Sequence, residues 1–452
     1  MNALANDLRL ALLLTRGSDR REWWRVTLTG LGAALATAFG LAAGVLASMK
    51  GSYRVDMAAG LLDNPGERSG VIVTLLFLLV PVLGFLGQCT RVGAVHRDRR
   101  LAGLRLAGAS AGQVRRIAAL ETGLACLAGS LVTTVVFVVF LLSEWRSPTV
   151  VAWIVIALVA LGVPVLGAGA SVLALRRVVA SPLGWVRRVG PTTGRGPVWV
   201  FLGAVALLVL VTLLAVANTT RNMAYSSGKA PLIVCGALLA VGAGAVLLSG
   251  IVSTLTGRLL AARAENPAVL IAAERLRDDP WAAARTHAAV IMGAVVGSGY
   301  IGIRQALLAT VSSQQHLAEN DDFYITGLNF TAAAILVGFA VTLFGLAVGT
   351  AESLATRRRG LAAQVAAGVP YEVLSRALLL ETALPLAPSV LVGGAGGTVI
   401  AFTYVMAMGG TSVLPFGALL VPVGVYGACL LAAATSLPLL RRTVRPGELR
   451  YV

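Results

Sequence analysis

Charged residues are scarce in this sequence, and lysine is nearly missing from it. Charged residues make up 13% of the 452 residues and hydrophobic residues 57%, and Lys50 and Lys229 are the only lysines. A water-soluble protein of this composition would expose large apolar patches. The net charge of +17 does not indicate a nucleic-acid-binding protein, because the arginines lie in short clusters between apolar runs. The composition therefore predicts a membrane protein that binds no nucleic acid.

The sequence also lacks the residue groups that metal, redox and proteolytic sites require. The four cysteines lie in or beside apolar runs, and no two of them form a CxxC pair. The three histidines are far apart, and there is no HExxH sequence. We therefore expect no metal-binding and no catalytic residue in this chain. The positions concerned are Cys89, Cys126, Cys235, Cys429, His96, His287 and His316.

Two further absences restrict the source of energy. A phosphate-binding loop ends in Lys followed by Ser or Thr, but Lys50 precedes a glycine and Lys229 an alanine. Secondary transporters place charged side chains near the middle of the bilayer, and here no apolar run carries one at its centre. We therefore expect no ATP-binding site in this chain and no coupling to a proton or sodium gradient.

Apolar runs dominate what is present. Roughly twenty apolar residues cross a bilayer as a helix, and ten runs approach or exceed that length. They predict an all-α, polytopic membrane protein with about ten transmembrane helices. The predicted spans are Val26 to Met49, Gly70 to Cys89, Ile117 to Leu142, Val150 to Leu175, Val198 to Ala217, Pro231 to Thr256, Ala288 to Ile303, Phe330 to Thr350, Ala377 to Met406 and Leu414 to Leu437.

The arginines predict the orientation of these spans. Loops rich in arginine stay in the cytoplasm, and with the first residue inside, about thirty of the 37 basic residues are cytoplasmic. The external loops then carry as many acidic as basic residues. We therefore expect a multi-pass protein of the plasma membrane with both termini in the cytoplasm and an uncleaved N-terminal segment.

One segment of the chain is duplicated. Residues 97–122 and 357–382 align without a gap at an offset of 260, and ten of the 26 positions are identical. Each copy follows a span that runs inwards and leads into the next span, so both copies are cytoplasmic and the two halves insert in the same direction. This parallel arrangement differs from the inverted repeats of many secondary transporters.

Each copy contains a predicted break between two helices. The first turn is residues 108–110 (Gly-Ala-Ser) and the second turn is residues 368–370 (Gly-Val-Pro). Ser110 can cap the following helix, and Pro370 is suited to a first helical turn. Each copy is thus predicted to form a short helix, a tight turn and a helix that enters the membrane.

A glutamate follows each turn at the same place in the repeat. Glu121 and Glu381 each lie about one helical turn beyond an arginine, Arg116 or Arg376. We expect each glutamate to fix its turn to the following span through a salt bridge or a backbone contact. The alternative is a carboxylate that extends to the membrane surface without a specific partner.

The repeat divides the chain into predicted segments. Leu13 to Arg25 and Glu274 to Thr286 are amphipathic stretches with Arg and Trp, typical of helices in the membrane interface. Spans one to four therefore match spans seven to ten, and spans five and six form an insertion. The segments are an N-terminal amphipathic helix (1–25), a first repeat (26–190), an inserted helix pair (191–260) and a second repeat (261–452).

The duplicated segment resembles the signature of FtsX-like permeases, the membrane subunits of type VII ABC transporters. The first copy, Arg99 to Glu121, matches well, whereas the second, Arg359 to Glu381, departs at Gln364 and Val365. Residues 181–184 (SPLG) and 449–451 (LRY) resemble actinobacterial members, in keeping with the arginine-rich composition of a GC-rich genome. Ten spans with an extra pair resemble the Bce-type subgroup, but that subgroup has a large external domain, and here the loop from Gln305 to Leu328 is short.

The resemblance implies a partner and a role for the duplicated residues. A dimeric ABC ATPase subunit, which carries the ATP and Mg²⁺, would bind both turns, and this chain itself would bind no cofactor. Membrane lipid is a further expected partner, and a sensor kinase, a lipoprotein or a cell-wall hydrolase are others. The implied coupling residues are Arg99, Leu101, Leu104, Arg105, Gly108, Ala109, Ser110, Arg359, Leu361, Gly368, Val369 and Pro370, and those of transmission are Arg116, Glu121, Arg376 and Glu381.

Two functions are compatible with these features. The first is a permease subunit that couples the ATPase to the export or extraction of an amphiphilic compound, such as an antibiotic peptide or a lipid-like molecule. The second is a signalling or regulatory module that controls a sensor kinase or a cell-wall hydrolase and moves no substrate. The sequence does not name the cargo.

Overall fold

The computed structural model describes residues 20–49, 51–52, 60–63, 65–89, 103–144, 148–174, 230–312, 321–407 and 416–443, with residues 9, 13 and 100. Within these residues the elements are α-helices, and eight are long and apolar enough to cross a membrane. The all-α prediction is confirmed, and the chain is compatible with a multi-pass membrane protein. The helices are α1 (Arg20–Ser48), α2 (Pro65–Cys89), α3 (Ala111–Glu144), α4 (Val150–Ala174), α5 (Ala230–Arg263), α6 (Pro267–Asp278), α7 (Pro280–Ser312), α8 (Asp321–Thr356), α9 (Arg358–Ala366), α10 (Tyr371–Ala407), α11 (Phe416–Ala434) and α12 (Leu437–Thr443).

The predicted spans correspond closely to these helices. Eight of them coincide with the membrane-length segments of α1, α3, α4, α5, α7, α8, α10 and α11. The second predicted span is helical as α2, and the fifth lies outside the described residues. The count of ten spans stays a prediction.

One loop is shorter than the sequence suggested. The connection between the seventh and eighth spans was expected to run from Gln305 to Leu328, but α7 continues to Ser312 and α8 begins at Asp321. The single charge of Arg304 does not end α7, because the residues that follow it (QALLATVS) favour helix. Most of the expected loop is therefore an extension of the two helices.

The first compact unit comprises residues 1–53 and 63–190. Its first helix, α1, packs against α2, α3 and α4. The contact of α1 with α3 is so close that a Cβ on Gly129 would overlap the carbonyl group of Gly30. Small residues at such crossings let membrane helices approach and gain van der Waals contact. The same unit buries Arg68, which donates hydrogen bonds to the carbonyls of Met49 and Gly51 beyond α1 at 2.9 and 3.1 Å.

The second compact unit comprises residues 54–62 and 191–452. Helices α5, α7 and α10 pack against one another, and α11 contacts α7, α8 and α10. The contact of α7 with α10 repeats the pattern of the first unit, since a Cβ on Gly397 would overlap the carbonyl of Val295. The helices α5, α7, α8, α10 and α11 all contribute to the apolar core of this unit. Ala245, Ile291, Leu346, Leu386 and Cys429 lie at its centre.

Candidate functional site

The first turn has the hydrogen bonds of a Schellman motif. The Ala109 amide donates to the Leu104 carbonyl at 3.0 Å, and the Gly108 amide donates to the Arg105 carbonyl at 3.1 Å. Gly108 has a φ of 98°, a left-handed conformation that a residue with a Cβ adopts only with strain. The Ser110 hydroxyl then accepts a hydrogen bond from the Gln113 amide, so Ser110 caps α3.

The second turn has the same backbone. The Val369 amide donates to the Gln364 carbonyl at 3.0 Å, the Gly368 amide donates to the Val365 carbonyl at 2.9 Å, and Gly368 has a φ of 91°. Pro370 precedes α10, and its carbonyl accepts a hydrogen bond from the Leu374 amide. Proline therefore holds the capping position that Ser110 holds in the first turn, one residue earlier than the first helical turn predicted for it.

The exposure of the side chains is duplicated as well. Positions 103–110 and 363–370 follow the same sequence of exposed and partly buried residues, with the two glycines exposed. Arg116 and Arg376 are both exposed one to two turns into the following helix. Among the other predicted coupling residues, Arg359 is exposed and Leu361 is buried. Arg99 and Leu101 lie outside the described residues.

The two turns differ in what supports them. In the first, the Arg105 guanidinium donates to the Ala109 carbonyl at 3.3 Å. In the second, Val365 takes the place of Arg105 and packs with Val369 against a larger apolar cluster that contains Leu361, Leu374 and Leu440. The departure of the second copy from the sequence signature therefore replaces a polar contact by an apolar one at the base of the turn.

Glu121 is buried between two arginines. Arg25 of α1 donates to one carboxylate oxygen, and Arg100, from the segment that precedes the first turn, donates to the other at 2.9 Å. The Glu121 and Arg25 side chains are only 2% and 5% exposed. We call this group the first clamp. It joins the beginning of α1, the segment before the turn and α3.

Glu381 is held in the same way in the second unit. Arg275 of α6 donates to one carboxylate oxygen at 3.2 Å, and Arg357, at the start of α9, donates to the other at 2.8 Å. The Glu381 side chain is 20% exposed and that of Arg357 40%. We call this group the second clamp. It joins α6, the segment before the second turn and α10, and it is more accessible to water than the first clamp.

Sequence reasoning singled out both glutamates but not their partners. Arg116 and Arg376 are the nearest arginines along the helix, but residues five apart on a helix point about 140° away from each other. The arginines that bind the carboxylates come instead from elements about a hundred residues away and from the segment before the turn. The sequence signal that remains is the presence of several arginines in each of the two upstream amphipathic stretches.

Each clamp joins elements that are far apart in the sequence by ion pairs. Each carboxylate accepts from two guanidinium groups, and such charge-assisted hydrogen bonds are shorter and stronger than those between neutral groups. A displacement of either turn would therefore be passed to the helix that carries the glutamate and to the helix that carries the distant arginine. Within the described residues, no group of three or more His, Cys, Asp or Glu side chains could hold a metal ion. No protein-family model, curated protein or solved structure matches this chain.

Proposed function

We propose that this chain is the permease subunit of an ATP-driven ABC transporter and that its two turns are the docking points of a dimeric ATPase. The observation that carries the proposal is the duplication of one device: a Schellman turn followed, at the same distance, by a glutamate between two arginines. Two equivalent docking points suit a partner that presents two equivalent sites, as a dimer does.

The exposure of the turns supports a docking role. The glycines and the residues just before them are exposed in both copies, and Leu106 at the first turn is 73% exposed. The orientation predicted from the arginines places both turns in the cytoplasm, where ATP is available. The exposed apolar side chain of Leu106 is therefore available for contact with a protein partner.

The clamps support a transmission role. Rigid contacts of packed elements carry coupling between distant sites, and each clamp connects its turn to two different helices. In both units the helix that carries the glutamate also packs closely on the first membrane-length helix of the repeat, through Gly129 in one and Gly397 in the other. ATP-driven movement of the turns would then shift these helix pairs. The cargo of such a transporter would be amphiphilic, reached from within the bilayer.

Cysteine cross-linking of the full-length chain tests the docking sites. We expect Ala107→Cys and Ala367→Cys, both at exposed positions beside the turns, to form cross-links with an ABC ATPase subunit that co-purifies with the chain. Glu265→Cys is the control, because it is exposed in the connection between α5 and α6, which is also predicted to be cytoplasmic. Absence of a co-purifying ATPase, or cross-links from Glu265→Cys alone, would contradict the proposal.

A further inference from the structure

The second unit contains a cavity that the clamps and turns do not use. Its volume is about 380 Å³, within the range of small-molecule sites. It is lined by α5, α7, α8 and α10 and by residue 61, and representative lining residues are Leu238, Val296, Tyr300, Leu328, Ile335 and Ile400.

The lining of this cavity offers almost nothing to a polar ligand. Most side chains around it are aliphatic or aromatic. Its polar groups are engaged elsewhere: the Tyr300 hydroxyl donates to the Leu328 carbonyl at 2.7 Å, and the Thr331 hydroxyl donates to the Gly327 carbonyl at 2.9 Å. The cavity therefore suits a hydrocarbon ligand, because burying an unpaired polar group there would cost free energy.

The position of the cavity along the helices indicates the length of that ligand. The lining residues come from the first turns of α5 and α8 and from the last half of α7 and the end of α10. Along α7 they extend from Val296 to Leu307, which corresponds to about 16 Å of helix. That is about half of the 30 Å hydrocarbon core, or one leaflet. The arginine distribution predicts that this end of the helices faces the outside.

A charged group lies on α7 between the lining residues Ile303 and Leu307, within the outer part of the stretch that lines the cavity. Arg304 follows the lining residue Ile303 on α7, and its guanidinium interacts with the Tyr300 hydroxyl one turn earlier. Arg304 is partly exposed, so it can still meet a ligand from the membrane surface. Guanidinium groups bind phosphate by paired hydrogen bonds. The combination of an apolar cavity one leaflet deep with an arginine towards its outer end matches the two parts of an anionic phospholipid.

We propose that this cavity binds one acyl chain of an anionic phospholipid from the outer leaflet, with the lipid phosphate at Arg304. The site does not require the ATPase or transport, so it stands apart from the proposed permease function. Both a resident lipid and an amphiphilic cargo with an acyl tail have this chemistry. We commit to the resident membrane phospholipid.

Photo-cross-linking in nanodiscs tests the site without any partner protein. The full-length chain is reconstituted with phosphatidylglycerol that carries a diazirine in one acyl chain, and the labelled residues are identified by mass spectrometry. We expect the cavity residues on α7 and α8 to be labelled more strongly than Leu336, which is 66% exposed on the outer face of α8. Labelling that is equal on both faces would overturn the proposal, and this result needs no variant.

Two matched variants sharpen the test. Ile335→Trp fills the cavity and should lower its labelling about tenfold, whereas Leu336→Trp, on the adjacent outward-facing position, should leave it unchanged. Arg304→Gln should lower labelling by phosphatidylglycerol about fivefold and leave labelling by the zwitterionic phosphatidylcholine probe unchanged. Equal effects of the two tryptophan variants would refute the acyl-chain site. Equal labelling of the wild type by both lipids would refute the contact between Arg304 and the headgroup.

Discussion

At the scale of single residues, the glutamates of the two clamps are equivalent in position, but their environments differ. Glu121 is 2% exposed and faces the nearly buried Arg25, whereas Glu381 is 20% exposed and its partner Arg357 is 40% exposed. Removing one partner of a buried pair leaves an uncompensated charge that water cannot solvate, while exposed pairs contribute little. The first clamp should therefore contribute more to stability than the second.

Replacement of each glutamate by glutamine measures this difference. Glu121→Gln should lower the free energy of unfolding by about 3–5 kcal/mol, because Arg25 remains buried without its carboxylate. Glu381→Gln should lower it by less, since water reaches the second clamp. Glu274→Gln is the control: Glu274 pairs with Arg277 at 3.6 Å on the surface of α6, and its loss should change stability by less than about 1 kcal/mol. Denaturation of the purified variants in detergent gives the three values, and equal losses in the two clamps would contradict the argument from burial.

The glutamine variants also separate transmission from mere stability. If the proposed function holds, the more stable Glu381→Gln protein should still bind the ATPase, while ATP hydrolysis should no longer be coupled to activity in the membrane. If the Glu381→Gln variant keeps full activity that remains coupled to ATP hydrolysis, Glu381 has only a structural role.

The sequence predicted the glutamates but not the arginines that hold them, and the reason is physical. The glutamates lie on a continuous helix, where the repeat fixes their position, so an offset of 260 finds both. A guanidinium sits on a long flexible side chain and can reach the same carboxylate from different backbone positions. The position of Arg100 in the first copy is occupied by Gly360 in the second copy. Arg357, three residues earlier, binds Glu381 there instead.

At the scale of elements, the helices follow from the hydrophobic runs, but their ends do not. Apolar residues predicted the spans because a backbone in hydrocarbon must satisfy its hydrogen bonds within a helix. Nothing in hydrophobicity defines where such a helix stops, so α7 and α8 extend well beyond the predicted spans and α10 reaches 37 residues. The two turns are better defined in the sequence, because Gly108 and Gly368 carry a conformation that few other residues adopt.

Alanine substitution tests the conformation of the turns. Gly108→Ala and Gly368→Ala should each lower the free energy of unfolding by about 1–2 kcal/mol, because both glycines have a positive φ and open space around them. The cost therefore comes from the backbone and not from a clash. Gly360→Ala, within α9 and with nothing near its Cβ, is the control and should be neutral or stabilising. Similar effects at positions 360 and 368 would mean that the turn does not require the left-handed conformation.

At the scale of the whole molecule, each of the two units contains a turn and a clamp of the same kind with different supporting contacts. In each unit the helix that carries the glutamate, α3 or α10, is in close contact at a glycine with α1 or α7, and a turn and a clamp lie at its start. The inserted helix α5 belongs by its contacts to the second unit. The sequence repeat predicted the two turns and the two glutamates. The assignment of the insertion to the second unit depends on long-range packing that no local pattern encodes.

The direction in which each repeat crosses the membrane is the remaining property of the whole molecule that a simple experiment decides. A reporter that is active only outside the cell should work when it is fused within residues 56–67 or at Glu319, and it should fail at Arg100 or Arg358. A second reporter, active only in the cytoplasm, should give the opposite pattern at the same four sites and so controls for expression. The physical reason is the excess of about four to one in basic residues on the predicted cytoplasmic side, which opposes their transfer across the bilayer.

The same fusions test whether the two repeats are parallel. Arg100 and Arg358 lie at nearly the same position in the two repeats, so reporters at these two sites must give the same signal if the repeats are parallel. Opposite signals at these two sites would mean an inverted repeat, and one ATPase dimer could then not reach both turns from the cytoplasm.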